Sequence, residues 1–281
     1  MLRIIESQSL SSRSIRSLVI GRAGRQILAV LAILSLVALA GMVHAAPINY
    51  GDFSGNTVDY LQVTEDANSA GDAPPLFGAP SVSADSLDFD PVGFNASATG
   101  AAGTDLTDGN LKFTIMAKGG NAIDMVSLSE AGDTTLSGIG TNATFTTVTG
   151  QGVMNILAVD GVGITPIVVP INLVFSPSGG TYELGTDGGG GPLYSTNWSG
   201  SWLKNVKQVL IDNNITHNQG ATKVSINMDN TLTAHSETGT FALIAKKDFG
   251  GLSVTVNIPE PATWLLASIC GLVAAIGGRK R

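Results

Sequence analysis

Between residues 46 and 258 the chain has no cysteine and no arginine. The first absence removes disulfides, thiolate metal ligands and a cysteine nucleophile from that stretch. The second leaves seven Lys against twenty Asp and Glu, a balance of 7 − 20 = −13. A stretch so acidic and without guanidinium groups does not hold phosphate backbones, so nucleic acid is excluded as a partner. Histidine is scarce as well, with His217 and His235 the two that follow residue 45. No HExxH, GxSxG, GxGxxG or P-loop spacing occurs, so zinc hydrolysis, serine esterase chemistry and nucleotide binding lack their usual residues. Charged residues make up 13% of the chain and hydrophobic ones 43%, which suits a buried core rather than disorder.

Long hydrophobic runs lie at the two ends. Arg3, Arg13, Arg16, Arg22 and Arg25 precede the fourteen residues 27–40 (ILAVLAILSLVALA). Val43-His44-Ala45 then places compact residues three and one before the next position. A basic region, an apolar run of this length and such a site predict a secretory signal over residues 1–45, with cleavage after Ala45. An uncleaved anchor is the alternative, and it too implies export. At the other end Pro259-Glu260-Pro261 leads into the uncharged residues 262–278 (ATWLLASICGLVAAIGG) and the terminal Arg279-Lys280-Arg281. Seventeen helical residues reach about 25 Å, the lower limit for a membrane span. Trp264 stands where an interfacial aromatic would, and the basic cluster orients the tail with its end in the cytoplasm. Cys270 falls inside this span, where an apolar setting disfavours a thiolate. The two prolines disfavour helix and hold the motif extended.

This order of Pro-Glu-Pro, apolar span and basic tail over residues 259–281 resembles the PEP-CTERM sorting signal, of the type common in planctomycete-like bacteria. The resemblance implies an exosortase-type membrane protease as a partner and the membrane as a staging point. Pro259, Glu260 and Pro261 would be the recognised motif, and Arg279, Lys280 and Arg281 would hold the tail. It implies an inner-membrane-anchored intermediate and then a place at the cell surface or outside it. Residues 47–66, 84–90 (ADSLDFD) and 245–256 (AKKDFGGLSVTV) are similar to domains found in many PEP-CTERM proteins, with which no enzymatic activity is associated as a class.

Residues 46–258 read as one exported domain. Short β-branched or alternating runs recur at 57–64, 111–116, 143–149, 153–159, 164–175, 222–228, 240–245 and 252–258. Gly, Asn, Asp and Pro punctuate them, including at 71–75, 100–108, 187–192 and 229–230. This spacing predicts an all-β fold, an antiparallel, jelly-roll-like β-sandwich, flanked by the signal helix and a C-terminal transmembrane helix. Pro166 and Pro170 belong on an edge strand or at bulges. One helix is expected over residues 202–211, with Ser201 as its cap. His217 reads as a loop residue after an Asn-rich turn.

Few residues suggest chemistry. Calcium is the one candidate cofactor, because it takes six to eight oxygen ligands and jelly rolls can hold it where an early strand meets the last. Asp52, Glu65, Asp66, Asp88 and Asp248 are the candidate ligands, against the simpler reading that they are solvated turn residues. Glycosidase chemistry needs two carboxylates across a cleft. Trp198 and Trp202 are few for a sugar platform. The expectation is a non-enzymatic structural or adhesive protein of the cell surface or extracellular matrix. The alternative is a carbohydrate-binding β-sandwich supported by a calcium ion, with extracellular polysaccharide as partner.

Overall fold

The computed structural model describes residues 46–67, 69, 72–101, 103–247 and the backbone of the strand at 253–257. The predicted signal, its cleavage residue Ala45, Asp248 and the whole tail from residue 258, including the expected membrane helix, lie outside the described residues. Among those described, no helix is long and apolar enough to cross a membrane.

Fifteen strands follow one another: β1 (Ile48–Ser54), β2 (Val58–Ala67), β3 (Ser81–Ser83), β4 (Ser86–Asp88), β5 (Asn95–Thr99), β6 (Gly103–Ala117), β7 (Met125–Ser137) and β8 (Phe145–Val159). Then come β9 (Val162–Asn172), β10 (Val174–Ser176), β11 (Thr181–Glu183), β12 (Leu193–Asn205), the helix α1 (Val206–Asp212), β13 (Ala221–Ser236), β14 (Phe241–Lys246) and β15 (Ser253–Asn257). They form two sheets, and every pairing is antiparallel. One has the order β1-β2-β6-β13-β8, with β9 and β11 on the far edge of β8. The other runs β10-β12-β7, and the far edge of β7 is shared by β14 and β15. β5 continues the sheet from β14, and β4 and β3 continue it from β15.

Eight of these strands carry the architecture. In chain order β5, β6, β7 and β8 alternate between the sheets, β9 stays beside β8, and β12, β13 and β14 alternate again. The result is β5-β14-β7-β12 facing β6-β13-β8-β9, the pairing order of an eight-stranded jelly roll. β9 pairs with β8 alone, so Pro166 and Pro170 sit on an edge where a missing N–H leaves no central ladder broken.

Period-two burial builds the core. On β13 Val224, Ile226, Met228, Leu232 and Ala234 point inward and are buried. They meet Leu111, Phe113 and Ile115 of β6, Met154 and Ile156 of β8, and Leu128, Leu136 and Ile244 of the opposite sheet in one apolar cluster. Each such large side chain contributes roughly 1.5–3 kcal/mol by leaving water.

The strands expected from sequence are present, but their bounds differ: the run at 164–175 is divided between β9 and β10 of opposite sheets, and most of 100–108, read as a turn, belongs to β6. The runs at 143–149 and 153–159 are one strand, because Gly150 and Gly152 stay in the ladder with β13. Asp229–Asn230, read as a turn, is the middle of β13. The short or edge strands β1, β3, β4, β5 and β11 have no expected run, and neither do the long strands β7 and β12. The middle of each inward face is polar or small: Glu130, Gly132 and Thr134 on β7, between Leu128 and Leu136, and Thr196 and Gly200 beside Trp198 on β12. A Cβ at Gly132 would meet Ala245 O at 2.0 Å and the Trp198 ring at 2.5 Å, so the strand needs glycine where the indole lies across it. The expected helix begins four residues later than 202. Trp202 to Asn205 stay paired with β7, and the Asn205 side chain, not Ser201, accepts from Gln208 N at 2.8 Å to cap α1.

A polar line runs through the interior. Lys246 and Glu130 form a fully buried ion pair. Glu130 also accepts from Asn230 Nδ2 of the facing sheet at 2.8 and 3.1 Å. Lys246 Nζ lies over the rings of Phe94 and Trp198, at 5.1 and 5.5 Å. Burial pushes the ammonium below its ordinary pKa, and the neighbouring carboxylate opposes that shift. Thr134 and Thr146 then join the sheets at 2.6 Å, and Thr144 meets Thr240 at 2.7 Å.

Candidate functional site

The four candidate calcium ligands among the described residues do not converge. Asp52 is exposed on β1 and accepts from Gln62 N at 2.7 Å. Glu65 is buried on β2 and is occupied by other donors: Tyr50 Oη at 2.6 Å, Phe77 N at 3.0 Å, Gly78 N at 3.3 Å, and Leu76 N. It pins a loop whose Phe77 packs edge-on against Phe89 and Phe94. Burial and the Glu65 carboxylate raise the Tyr50 pKa above its ordinary value. Asp88 lies on β4 in the other sheet, where burial, and then the nearby Asp90, raise its carboxyl pKa. Asp66 Oδ1 accepts from Ala67 N at 2.9 Å. Among the described residues no group of three or more His, Cys, Asp or Glu is placed to hold a metal.

Other acids also serve the fold. Asp160 accepts from the backbone amides of Asn218, Gln219 and Gly220 at 2.7–3.0 Å, and those bonds hold its pKa below the usual range. Glu237 is lowered in the same way by the Thr141 amide and hydroxyl. His217 sits in its loop with Nδ1 2.9 Å from Ile215 O, and His235 stacks on Phe145 with Nδ1 2.9 Å from Thr104 Oγ1. Trp198 is 2% exposed and is a core residue rather than a sugar platform.

A cleft on the outer face of the β6-β13-β8-β9 sheet is different in kind. It is a shallow, open depression of about 350 Å³. Its polar wall is a single rung of the ladder. Asn110 of β6 pairs with Asp229 of β13, Asp229 with Gln151 of β8, and Gln151 with Asn172 of β9. β2 extends the rung on the other side through Asp66, opposite Asn110. Five carboxyl or amide side chains therefore stand in register across five strands, about 4.8 Å apart. The next rung carries Thr64, Lys112, Asn227 and Val153, the last opposite Pro170 at the edge. Gly152 lies between the two rungs in the cleft; a Cβ there would meet Asn227 O at 2.1 Å, so its absence lets β8 lie close to β13.

Asn110 is the telling member. It is 8% exposed, and its Nδ2 donates to Met228 O at 3.1 Å and to Asn227 Oδ1 at 3.0 Å. The carbonyl at Met228 settles which end of the amide is nitrogen, so Oδ1 is the end left over. That oxygen is buried without a hydrogen-bond partner. An unmet buried acceptor costs roughly 1–3 kcal/mol, unless a donor is brought to it. The rung was not legible as a site in sequence, because nothing local marks five residues spread from 66 to 229 as neighbours.

No family model and no curated protein matches the chain. Among solved structures, the chain is similar to the enzymatically active domain of tailspike protein 4 of bacteriophage CBA120, at 12% identity and a TM-score of 0.23. That match covers 77% of this chain, which spans 20% of the tailspike chain. A carbohydrate-binding module specific for non-crystalline cellulose, CBM28, matches at 12% identity and a TM-score of 0.19, over 64% of this chain and 79% of its own. Endoglucanase 3 of Trichoderma harzianum, from family GH12, matches at 14% identity and a TM-score of 0.18, over 76% and 97%. Likeness at this level carries no functional weight.

Proposed function

We propose that the chain is an exported, non-enzymatic protein with a structural or adhesive role at the cell surface or in the extracellular matrix. Residues 1–45 deliver it, and residues 259–281 tether and sort it as an exosortase substrate of the PEP-CTERM kind. The observation that carries the role is the use of the acids. Glu65, Asp160 and Glu237 hold backbone amides, and Glu130 is enclosed with Lys246. The sheet faces turned to solvent carry amides and hydroxyls, such as Gln151, Asn172, Asn197, Ser199 and Ser201. Carboxylates fixed in this way serve rigidity, and faces of this kind serve contact with other hydrogen-bonding surfaces.

The tail is tested by deleting Arg279–Arg281 in the producing cell. The expected result is a chain that accumulates unprocessed or misoriented in the membrane fraction. Unchanged fractionation and processing would contradict sorting through the tail.

A further inference from the structure

We propose that the side chains of Lys246 and Asn230 join in an amide bond that the folded domain forms by itself, with Glu130 carrying the protons and ammonia released. Such a bond goes beyond the surface role proposed above and does not depend on it.

The three side chains the reaction needs meet in the core. Among the described residues Lys246 is the one buried lysine, whereas Lys118 and Lys247 pair with Asp59 and Asp133 at the surface. Lys246 Nζ and Asn230 Nδ2 both donate to the same oxygen, Glu130 Oε2, the amide at 2.8 Å. Two donors on one acceptor stand roughly 4–5 Å apart, so the amine lies beside the amide it would attack. Nδ2 also donates to Thr149 O at 3.2 Å, which settles that the nitrogen end of the amide faces the carboxylate. Gly150 makes room for this meeting. A Cβ there would lie 2.7 Å from Asn230 Nδ2 and 3.4 Å from Glu130 Oε1.

The surroundings supply the reactivity. An ammonium has no free electron pair, so the lysine must first lose a proton. Enclosure disfavours charge on both partners, and the hydrogen bond from Nζ to Oε2 is the path by which the proton crosses. Asn230 is fully buried, its Oδ1 included, so water does not compete for the same carbon.

The neutral amine adds to Asn230 Cγ, forming the new C–N bond, and the carbonyl electron pair moves to Oδ1. Glu130 gives its proton to Nδ2 and takes one from Nζ, the two atoms its Oε2 already touches. When Oδ1 re-forms the carbonyl, the Cγ–Nδ2 bond breaks and Nδ2 leaves as ammonia. One amine and one primary amide become one secondary amide and ammonia, and Glu130 ends as it began. No oxidant, metal or cofactor enters the balance. Because β13 and β14 belong to opposite sheets, the bond staples the sandwich through its core, in a stretch that has no cysteine for a disulfide.

The test is the intact mass of the chain recovered from the producing cell. It should fall short of the mass calculated for its observed termini by one ammonia. Lys246→Met, Asn230→Ala and Glu130→Gln should each show the full calculated mass. A protease that cuts after glutamate, applied to the unfolded chain, cleaves behind Glu237, between the two residues. The two pieces should stay joined in the parent and separate in the variants. The parent's mass and digest decide the matter whether or not the variants fold. A parent at full mass, a deficit that persists in Lys246→Met, or parent pieces that separate would overturn the bond. Loss of water in place of ammonia would overturn Asn230 as the acceptor, and a deficit kept in Glu130→Gln would overturn Glu130 as the proton carrier.

Discussion

In the chain before the cross-link forms, removing one half of the buried ion pair should cost more than removing both. In Lys246→Met, Glu130 remains fully enclosed and keeps the Asn230 amide at 2.8 and 3.1 Å as its hydrogen-bond donor. Isolating a buried charge in this way typically costs about 3–5 kcal/mol. At about 2–4 °C per kcal/mol for a domain of this size, the midpoint should fall by roughly 6–20 °C. Glu130→Leu with Lys246→Met removes both charges. Asn230 Nδ2 then retains Thr149 O at 3.2 Å, so the double variant should lie within about 2 kcal/mol of the parent. Urea unfolding read by tryptophan fluorescence suits the measurement, since Trp198 lies 5.5 Å from the Lys246 ammonium. A double-mutant cycle should show coupling of at least about 2 kcal/mol. If Lys246→Met alone costs under about 1 kcal/mol, or the two changes simply add, the pair does not organise the interior as described.

Glu65→Gln keeps the shape but turns one acceptor into a donor facing Tyr50 Oη or the loop amides, so equilibrium unfolding should show a loss of at least about 2 kcal/mol. Tyr50→Phe should lose less, near 1 kcal/mol. Gly132→Ala places a methyl against Ala245 O and the Trp198 ring, and a loss of about 1–3 kcal/mol or failure to fold is expected by thermal unfolding. Asp160 and Glu237 have pKa values held below the ordinary range, so their contribution is present above the unfolded values and lost as pH falls through the folded ones. The amide-exchange protection factors at residues 218–220, corrected for the intrinsic pH dependence of exchange, should therefore fall below about pH 4, and Asp160→Asn should flatten that dependence.

The strands that could be read from sequence are those whose inward positions are apolar. Val224, Ile226 and Met228 alternate with Ser225 and Asn227, and that period is visible in a short window. On β7 the inward set includes Glu130, Gly132 and Thr134, so the pattern vanishes even though the strand is central to its sheet. Each of these residues is explained only by something distant: Lys246 for the glutamate, Trp198 for the glycine and Thr146 for the threonine. The capping of α1 failed to show for a related reason, since β12 keeps Trp202–Asn205 in the ladder with β7 and overrides local helix periodicity. The candidate metal ligands were grouped by where early and late strands were expected to meet. Register instead placed Asp66 in a row with Asn110 and Asp229 and set Asp88 in the opposite sheet. Long-range register has no local signature, and it is what assembles the cleft.

Where the mature protein begins and ends, and on which side of the membrane it stands, decides whether it is a sorted surface protein. Mass spectrometry of the intact protein recovered separately from cytosol, membranes and medium reads all three. The predicted result is a first residue at Ala46 and, in the surface or medium fraction, a last residue near Pro259–Pro261. Recovery of the chain from the cytosol with residues 1–45 and 259–281 still attached would contradict it.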